Sequence, residues 1–464
     1  MKRILLRFIV VSTMLLALLP VGAAGKIGTV NLNVVLKSDV TAEVLKVLKG
    51  HGTVLTVFEE LDALTMKVRE DKVPLIVALP FVESVGEDAE RNGAPIDTVL
   101  ATDFGDGLST WNLDLINVTD FGFDNRQVAY DGTGVYVAVL DTGLHDSWRK
   151  YFPEERIAVE YAKSFGGGAG EVARVSTQPN KWEHDQNGHG THVTSTILGY
   201  DLGGTAVNGV APNVTIIPVK VLNQNGSGWS SVIAMGITYI ADLKLNELKG
   251  FPVVINMSLG GSVLDPIEQA ALDYAIAAGV IIVASAGNSG EDGMGYPGAY
   301  EPVISVGAAG WQEEWTIVDP ENSSSWWYLL DPSEPTNVNE LYITDFSSRE
   351  KTGQDLDVIA PGSWIVGPYQ LNSGNRPSYY FLGGTSMASP HVAGIVALML
   401  EKNPTLEASE VENILETAAI PIAPGSRWVV NPNLGAYQNI SWGADATGHG
   451  LITADGALEG TPTP

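Results

Sequence analysis

Between residues 134 and 402, uninterrupted apolar runs alternate with segments of helical spacing, and few folds accept that alternation. The apolar runs are 134–140, 214–222, 252–257, 280–286, 303–306 and 358–360. The helix-patterned segments are 192–198, 231–248, 266–278 and 386–402. A strand apolar on every side chain is one covered on both faces. Such strands separated by helices predict an α/β domain, a mostly parallel sheet between helical layers. In open sheets of this type, sites form beyond the C-terminal ends of the strands. Asp141 sits at the end of the first run, and Asn288 follows another after Ala286-Gly287.

Three stretches carry chemistry on this frame. Gly383 and Gly384 precede Thr385-Ser386-Met387-Ala388-Ser389-Pro390-His391, which leads into the last apolar helix. Ser386 thus falls at a helix N-terminus, where backbone N–H groups are unpaired and carry partial positive charge. A hydroxyl there is either a helix cap or a nucleophile whose oxyanion product the N–H groups hold. Val137-Ala138-Val139-Leu140-Asp141-Thr142-Gly143 ends an apolar strand in a carboxylate, and His189-Gly190-Thr191-His192 places a histidine between glycines. A serine hydroxyl needs a base within hydrogen-bond reach to attack a carbonyl. Other candidates are weaker. His192 and His391 lie inside helical patterns, and His184 lies in a polar loop. Asp131, Asp146 and Asp185 sit in polar loops, where solvated carboxylates are expected.

The chain order Asp, His, Ser is that of the subtilisin arrangement of the triad. Together the three stretches resemble the subtilisin-like serine peptidases, over roughly residues 110–458. The closing segment Gly448-His449-Gly450-Leu451-Ile452-Thr453-Ala454 is similar to the end of such domains. The resemblance implies a three-layer subtilisin-like fold and a serine endopeptidase. Ser386 would be nucleophile, His189 base and Asp141 its orienting carboxylate. Asn288 would join the Ser386 N–H in an oxyanion hole. Gly226, Ser227 and Gly228 on one side, and Ser258, Leu259 and Gly260 on the other, would flank the substrate backbone. The pocket before the scissile bond would be lined by residues 258–260, by Ala286, Gly287 and Asn288, and by residues 295–297. That lining implies broad, apolar-leaning specificity. The alternatives are a narrow processing protease and an inactive binding protein, although all three triad positions and Asn288 are intact.

The N-terminal part reads as separate units. Lys2, Arg3 and Arg7 precede an apolar run to Leu19, and small residues end at Ala24. This pattern predicts an export signal over residues 1–24 and a secreted product. The run is shorter than the roughly 20 apolar residues that span a bilayer, so no membrane partner is expected. Residues 26–90 alternate as β-α-β-β-α-β, the pattern of a ferredoxin-like α+β unit. By position it resembles the family's prodomain, a folding helper and inhibitor whose C-terminal end lies in the groove. The expected division is signal 1–24, propeptide 25–105 and catalytic domain 106–464. Residues 91–110, rich in polar and glycine residues, read as an exposed linker holding the processing cut.

The formal net charge is −28, from 54 acidic against 26 basic residues, which excludes a nucleic-acid partner. It suits polypeptide substrates and the loading of hard cations, and the resemblance implies structural Ca²⁺ with no cofactor for catalysis. The calcium ligands are not readable, because the segments after Asp141 and at 200–208 do not align with the family's sites. The chain has no cysteine, so packing and bound cations must replace disulfides. A monomer is expected. The insertion 310–345, with Trp311, Trp315, Trp326 and Trp327, reads as a surface lobe near the groove or a packed loop, the packed loop being the plainer reading.

Overall fold

The computed structural model describes residues 28–101, 110–120, 126–166, 177–315, 337–369 and 378–464. The proposed signal, residues 102–109, Gly167, Gly168, Trp326 and Trp327 lie outside the described residues. No helix among the described residues is long and apolar enough to cross a membrane.

The first unit contains β1 (Thr29–Leu36), α1 (Ala42–Lys49), β2 (Gly52–Phe58), β3 (Ala63–Arg69), α2 (Val73–Val77) and β4 (Val82–Glu87). Its sheet order is β2-β3-β1-β4, with every pair antiparallel, which is the ferredoxin-like arrangement. Thr41 starts α1 by accepting the Val44 N–H at 3.3 Å. Alternate residues of β1 and β3, including Leu32, Val34, Leu64 and Met66, bury one sheet face against Leu48 and Ile76 of the helices. Near its other face, Phe58, Leu61 and Ala63 join a core of the larger domain.

Two short strands follow, β5 (Glu90–Asn92) and β6 (Asp97–Ala101), then α3 (Trp111–Leu115). The expected exposed linker is therefore corrected over residues 91–101. Polar composition signals solvation only when backbone and charge find no partner. Here β5 and β6 pair with strands of the larger domain, and Arg91 is fully buried.

The larger domain begins with β7 (Tyr136–Asp141), β8 (Lys163–Ser164), α4 (His189–Leu198), β9 (Gly199–Asp201), β10 (Ala206–Asn208), β11 (Thr215–Lys220) and β12 (Ser227–Trp229). It continues through α5 (Ser230–Leu245), β13 (Val253–Met257), α6 (Pro266–Ala277), β14 (Val280–Ser285), β15 (Ile304–Trp311), β16 (Leu341–Ile343) and β17 (Val358–Pro361). It closes with β18 (Ile365–Pro368), β19 (Tyr379–Gly383), α7 (Thr385–Lys402), α8 (Ala408–Ala418), β20 (Gly425–Asn431), β21 (Ala436–Trp442) and α9 (Ala454–Gly460).

The central sheet runs β16-β15-β14-β13-β7-β11-β8, with β17 also on β15. All its pairs are parallel except β15 with β16. Helices α5 and α6 share one core with the strands, and α4 and α7 share the other. The mostly parallel three-layer expectation therefore holds. Trp311 and Trp315 of the insertion are packed, with Trp315 4.9 Å from the ring of Phe381.

Candidate active site

Asp141, the last residue of β7, lies at the sheet's C-terminal edge and is fully buried. One of its oxygens accepts the Thr142 N–H at 2.6 Å. Both face His189 Nδ1 at 2.9 Å. A carboxylate only accepts, so Nδ1 carries the proton and Nε2 is the basic nitrogen. That Nε2 is buried and has no hydrogen-bond partner. His189 is the first residue of α4, which begins three residues before the segment its apolar pattern marked. Gly188, at φ +90°, makes the left-handed turn into that helix.

Asp185 organises this turn. It accepts the N–H groups of Asn187 and Gly188 at 2.8 and 2.9 Å, and the Thr142 hydroxyl at 2.9 Å. The reading of Asp185 as a solvated loop carboxylate is corrected, since only 2 % of it is exposed. Its neighbours are donors, so the loop closes over it. Burial pushes its pKa up, while Lys220 and these donors act against that. Lys220 is itself buried, and its ammonium donates to the Thr142 carbonyl.

Ser386 is the second residue of α7, whose N-cap Gly384 offers no side-chain cap. Four residues on is Pro390, inside the helix. Proline has no N–H, so the Ser386 carbonyl loses its helical donor. The Ser258 hydroxyl supplies one instead, at 2.8 Å. Asn256 in turn donates to Ser258 Oγ at 3.1 Å and accepts from Ser389 Oγ at 2.9 Å. The position of Ser386 is thus tied to β13 through side chains.

The Ser386 hydroxyl donates to the Ser258 carbonyl at 3.2 Å and not to His189. The same carbonyl lies 2.8 Å from where a Cβ on Gly93 would stand, and His189 Cε1 lies 3.5 Å from that point. Gly93 therefore sits between the imidazole and the carbonyl that accepts the Ser386 hydroxyl. Asn288 accepts the Thr385 N–H and hydroxyl through Oδ1, at 2.8 and 2.9 Å. This leaves its NH₂ as donor. A Cβ on Gly384 would lie 3.6 Å from that nitrogen and 3.7 Å from the Ser386 backbone nitrogen. Two donors therefore face one small space. Gly287 donates to Thr385 Oγ1 at 3.2 Å, and Leu259 is buried in the core shared by α5 and α6.

The flanking segments hold a strand already. Ser227, Gly228 and Trp229 pair antiparallel with Asn92, Arg91 and Glu90. Gly226 accepts the Gly93 N–H at 2.8 Å. Across the groove, Asn92 and Gly260 exchange backbone bonds of 2.9 and 3.0 Å. Further on, the Ile96 N–H donates to the Gly383 carbonyl at 2.7 Å, and β6 pairs with β19. The chain between Gly93 and Ile96 crosses from one side of the Ser386 region to the other.

Two of the rival histidines have other bonds. His192 Nε2 meets the Ile365 carbonyl at 3.0 Å, and burial lowers its pKa to about 3. His391 lies between the Met387 carbonyl and Asn112, and burial lowers its pKa to about 4.

One acidic group suits a cation. Ligand oxygens of Asp355, Asp357 and Glu416 lie within 4.8 Å of one another. Asp357 Oδ1 is buried without a partner, while Oδ2 accepts the Ser305 N–H at 2.6 Å. Burial and then the neighbouring carboxylates push Asp357 up to about 7 and Glu412 up to about 8. Glu412, on α8, is half-buried beside this group. The sequence reading missed this group: Asp355-Leu356-Asp357 is a local Asp-x-Asp signal, but nothing in the sequence brings it to Glu416.

A family model described as the subtilase family matches residues 132–455. Subtilisin DY of Bacillus licheniformis is 39% identical over 294 residues, covering 62% of this chain and 85% of that protein. Thermitase of Thermoactinomyces vulgaris is 30% identical over 312 residues, covering 67% of this chain and 90% of that one. Among solved structures, fervidolysin from Fervidobacterium pennivorans, a keratinolytic enzyme related to subtilisin, aligns at TM-score 0.65 and 24% identity. That alignment covers 95% of this chain and 62% of fervidolysin, and shows the fold. Sphericase aligns at TM-score 0.53 and 27% identity, over 76% of this chain and 99% of that one.

Proposed function

The chain belongs to the subtilase family of serine endopeptidases, and on that premise we propose a secreted, self-processed proenzyme of broad specificity. The observation that carries this reading is β5, seated between Ser227–Trp229 and Gly260 beside His189 and the Ser258 carbonyl. A peptide substrate that adds a strand to two edges takes the same main-chain bonds. Such pairing reads backbone, which favours many sequences.

In this reading Ser386 Oγ turns from the Ser258 carbonyl to His189 Nε2, which is free to accept its proton. Asp141 holds the tautomer and stabilises the imidazolium. Attack on the substrate carbonyl makes an oxyanion, received by the Asn288 NH₂ and the Ser386 N–H. His189 then protonates the leaving amine, and water releases the acyl group from Ser386 by the same route. The unit over residues 28–93 is the inhibitor. Its Asp88 accepts the Ser231 N–H at 3.0 Å and the Ser231 hydroxyl at 2.7 Å, capping α5, which lacks a side-chain cap of its own. Its Asn33 donates to Asp265, the N-cap of α6, at 2.8 Å. Asp355, Asp357 and Glu416 are the residues that would hold a structural Ca²⁺. The cation would offset their mutual repulsion and take no part in the reaction.

The test is expression of the full chain beside its Ser386→Ala variant. The parent is expected to shorten itself and degrade casein. The variant is expected to keep its precursor mass and leave casein intact. A variant that still matures and digests casein contradicts the proposal.

A further inference from the structure

The groove strand carries one side chain that fits no apolar pocket. Arg91 and Glu268 are both fully buried and form an ion pair through Arg91 Nη2 and Glu268 Oε2. Arg91 Nε donates to both Glu268 oxygens at 3.1 Å. Nη2 also donates to the Val263 carbonyl at 2.8 Å, and Nη1 to the Glu90 carbonyl at 3.1 Å. Burial works against the Arg91 charge, yet Glu268, with Asp265 and Asp88 beyond it, holds the guanidinium above its ordinary pKa. Gly261 makes the room, since a Cβ there would fall 2.7 Å from Arg91 Nη1.

The two partners belong to different units. Glu268 sits in the first turn of α6, in the larger domain, while Arg91 lies on the strand that, in the proposed reading, leaves with the inhibitor. Removing a partner from a buried ion pair leaves an uncompensated charge, a large penalty that a new cation relieves. Arginine suits the vacancy better than lysine, because its planar fork meets a carboxylate and a carbonyl at once.

We infer that Glu268 makes the enzyme select arginine in substrates at the strand position that Arg91 occupies. This rests on the protease reading above and narrows its breadth at one position. The register fixes that position. Gly93 is bonded to Gly226 and lies against the Ser258 carbonyl, so Ala94 is the residue that comes over Ser386. Arg91 is then the fourth residue before the bond to be cut. The pocket next to that bond stays apolar, and the charge is read further along the strand.

The experiment uses enzyme matured from the full chain, with active sites counted by a serine-reactive phosphonate. Its substrates are p-nitroanilides of succinyl-X-Asn-Gly-Ala and succinyl-X-Asn-Gly-Phe, where X is Arg, Lys, Gln or Leu. In both series kcat/KM for Arg is expected to exceed that for Leu about tenfold or more, with Lys between them. In Glu268→Gln, which keeps the shape and drops the charge, the Arg advantage should collapse. In Glu268→Leu it should reverse. Phosphonate-active enzyme that prefers Leu, or a Glu268→Gln enzyme that keeps the Arg advantage, overturns the inference while leaving the protease reading intact. Matured protein that takes no phosphonate overturns the protease reading, and this inference with it.

Discussion

At the residue scale, the arrangement assigns distinct duties to side chains that lie close together. Asn288 spends its oxygen on Thr385, so its NH₂ has a fixed direction. Asn288→Ala is expected to lower kcat about 10²–10³-fold with little change in KM, the usual cost of losing one oxyanion donor. An effect confined to KM would contradict the role. Asp185 differs, because it holds the turn before His189 and faces Lys220. Asp185→Ala strands buried donors, each about 1–3 kcal/mol. A fall in Tm together with kcat is the expected result in calorimetry and kinetics. An unchanged Tm would show that the turn stands without it. The proposed triad residues were picked out because each sits in a short local pattern. Asp185 and the Arg91–Glu268 pair were not, since what buries them comes from distant sequence, 177 residues away for Arg91.

At the scale of elements, the break in α7 and the borrowed cap of α5 carry the most consequence. Pro390 costs the helix a hydrogen bond and frees the Ser386 carbonyl for Ser258. Pro390→Ala should return the helical donor and loosen the tie to β13. Lower kcat without a lower Tm is expected, and unchanged kcat would contradict the coupling. Asp88→Ala removes the cap of α5, worth about 1 kcal/mol. In the proposed proenzyme, release of the N-terminal unit after processing should then be about fivefold faster by gel filtration or burst kinetics. The apolar runs located β7, β11, β13, β14 and β17 closely, because strands covered on both faces leave a dense local signal. Strand β5 left none. Its three residues are polar, and only the edges they meet make them a strand.

At the scale of the whole molecule, a chain with net charge −28 and no cysteine must manage its own repulsion. The group around Asp357 and Glu412 shows the problem locally. Their folded pKa values, about 7 and about 8, lie above the unfolded carboxylate value near 4. The stability they contribute is full below about pH 4 and is lost as pH rises through 7 to 8. Without a divalent cation, Tm should therefore fall across that window. Millimolar Ca²⁺ should remove the fall, and Asp357→Asn should remove the calcium effect. A flat profile in chelator would contradict this. The central claim, that distant segments meet to make one activated serine beside a groove, has a more direct test. Matured protein treated with a fluorophosphonate should carry one adduct, mapped by mass spectrometry to the peptide holding Ser386. His189→Ala protein, cut free of its inhibitor by an added protease, should take almost none. An adduct on another residue, or labelling of Ser386 as fast without His189 as with it, would contradict the account.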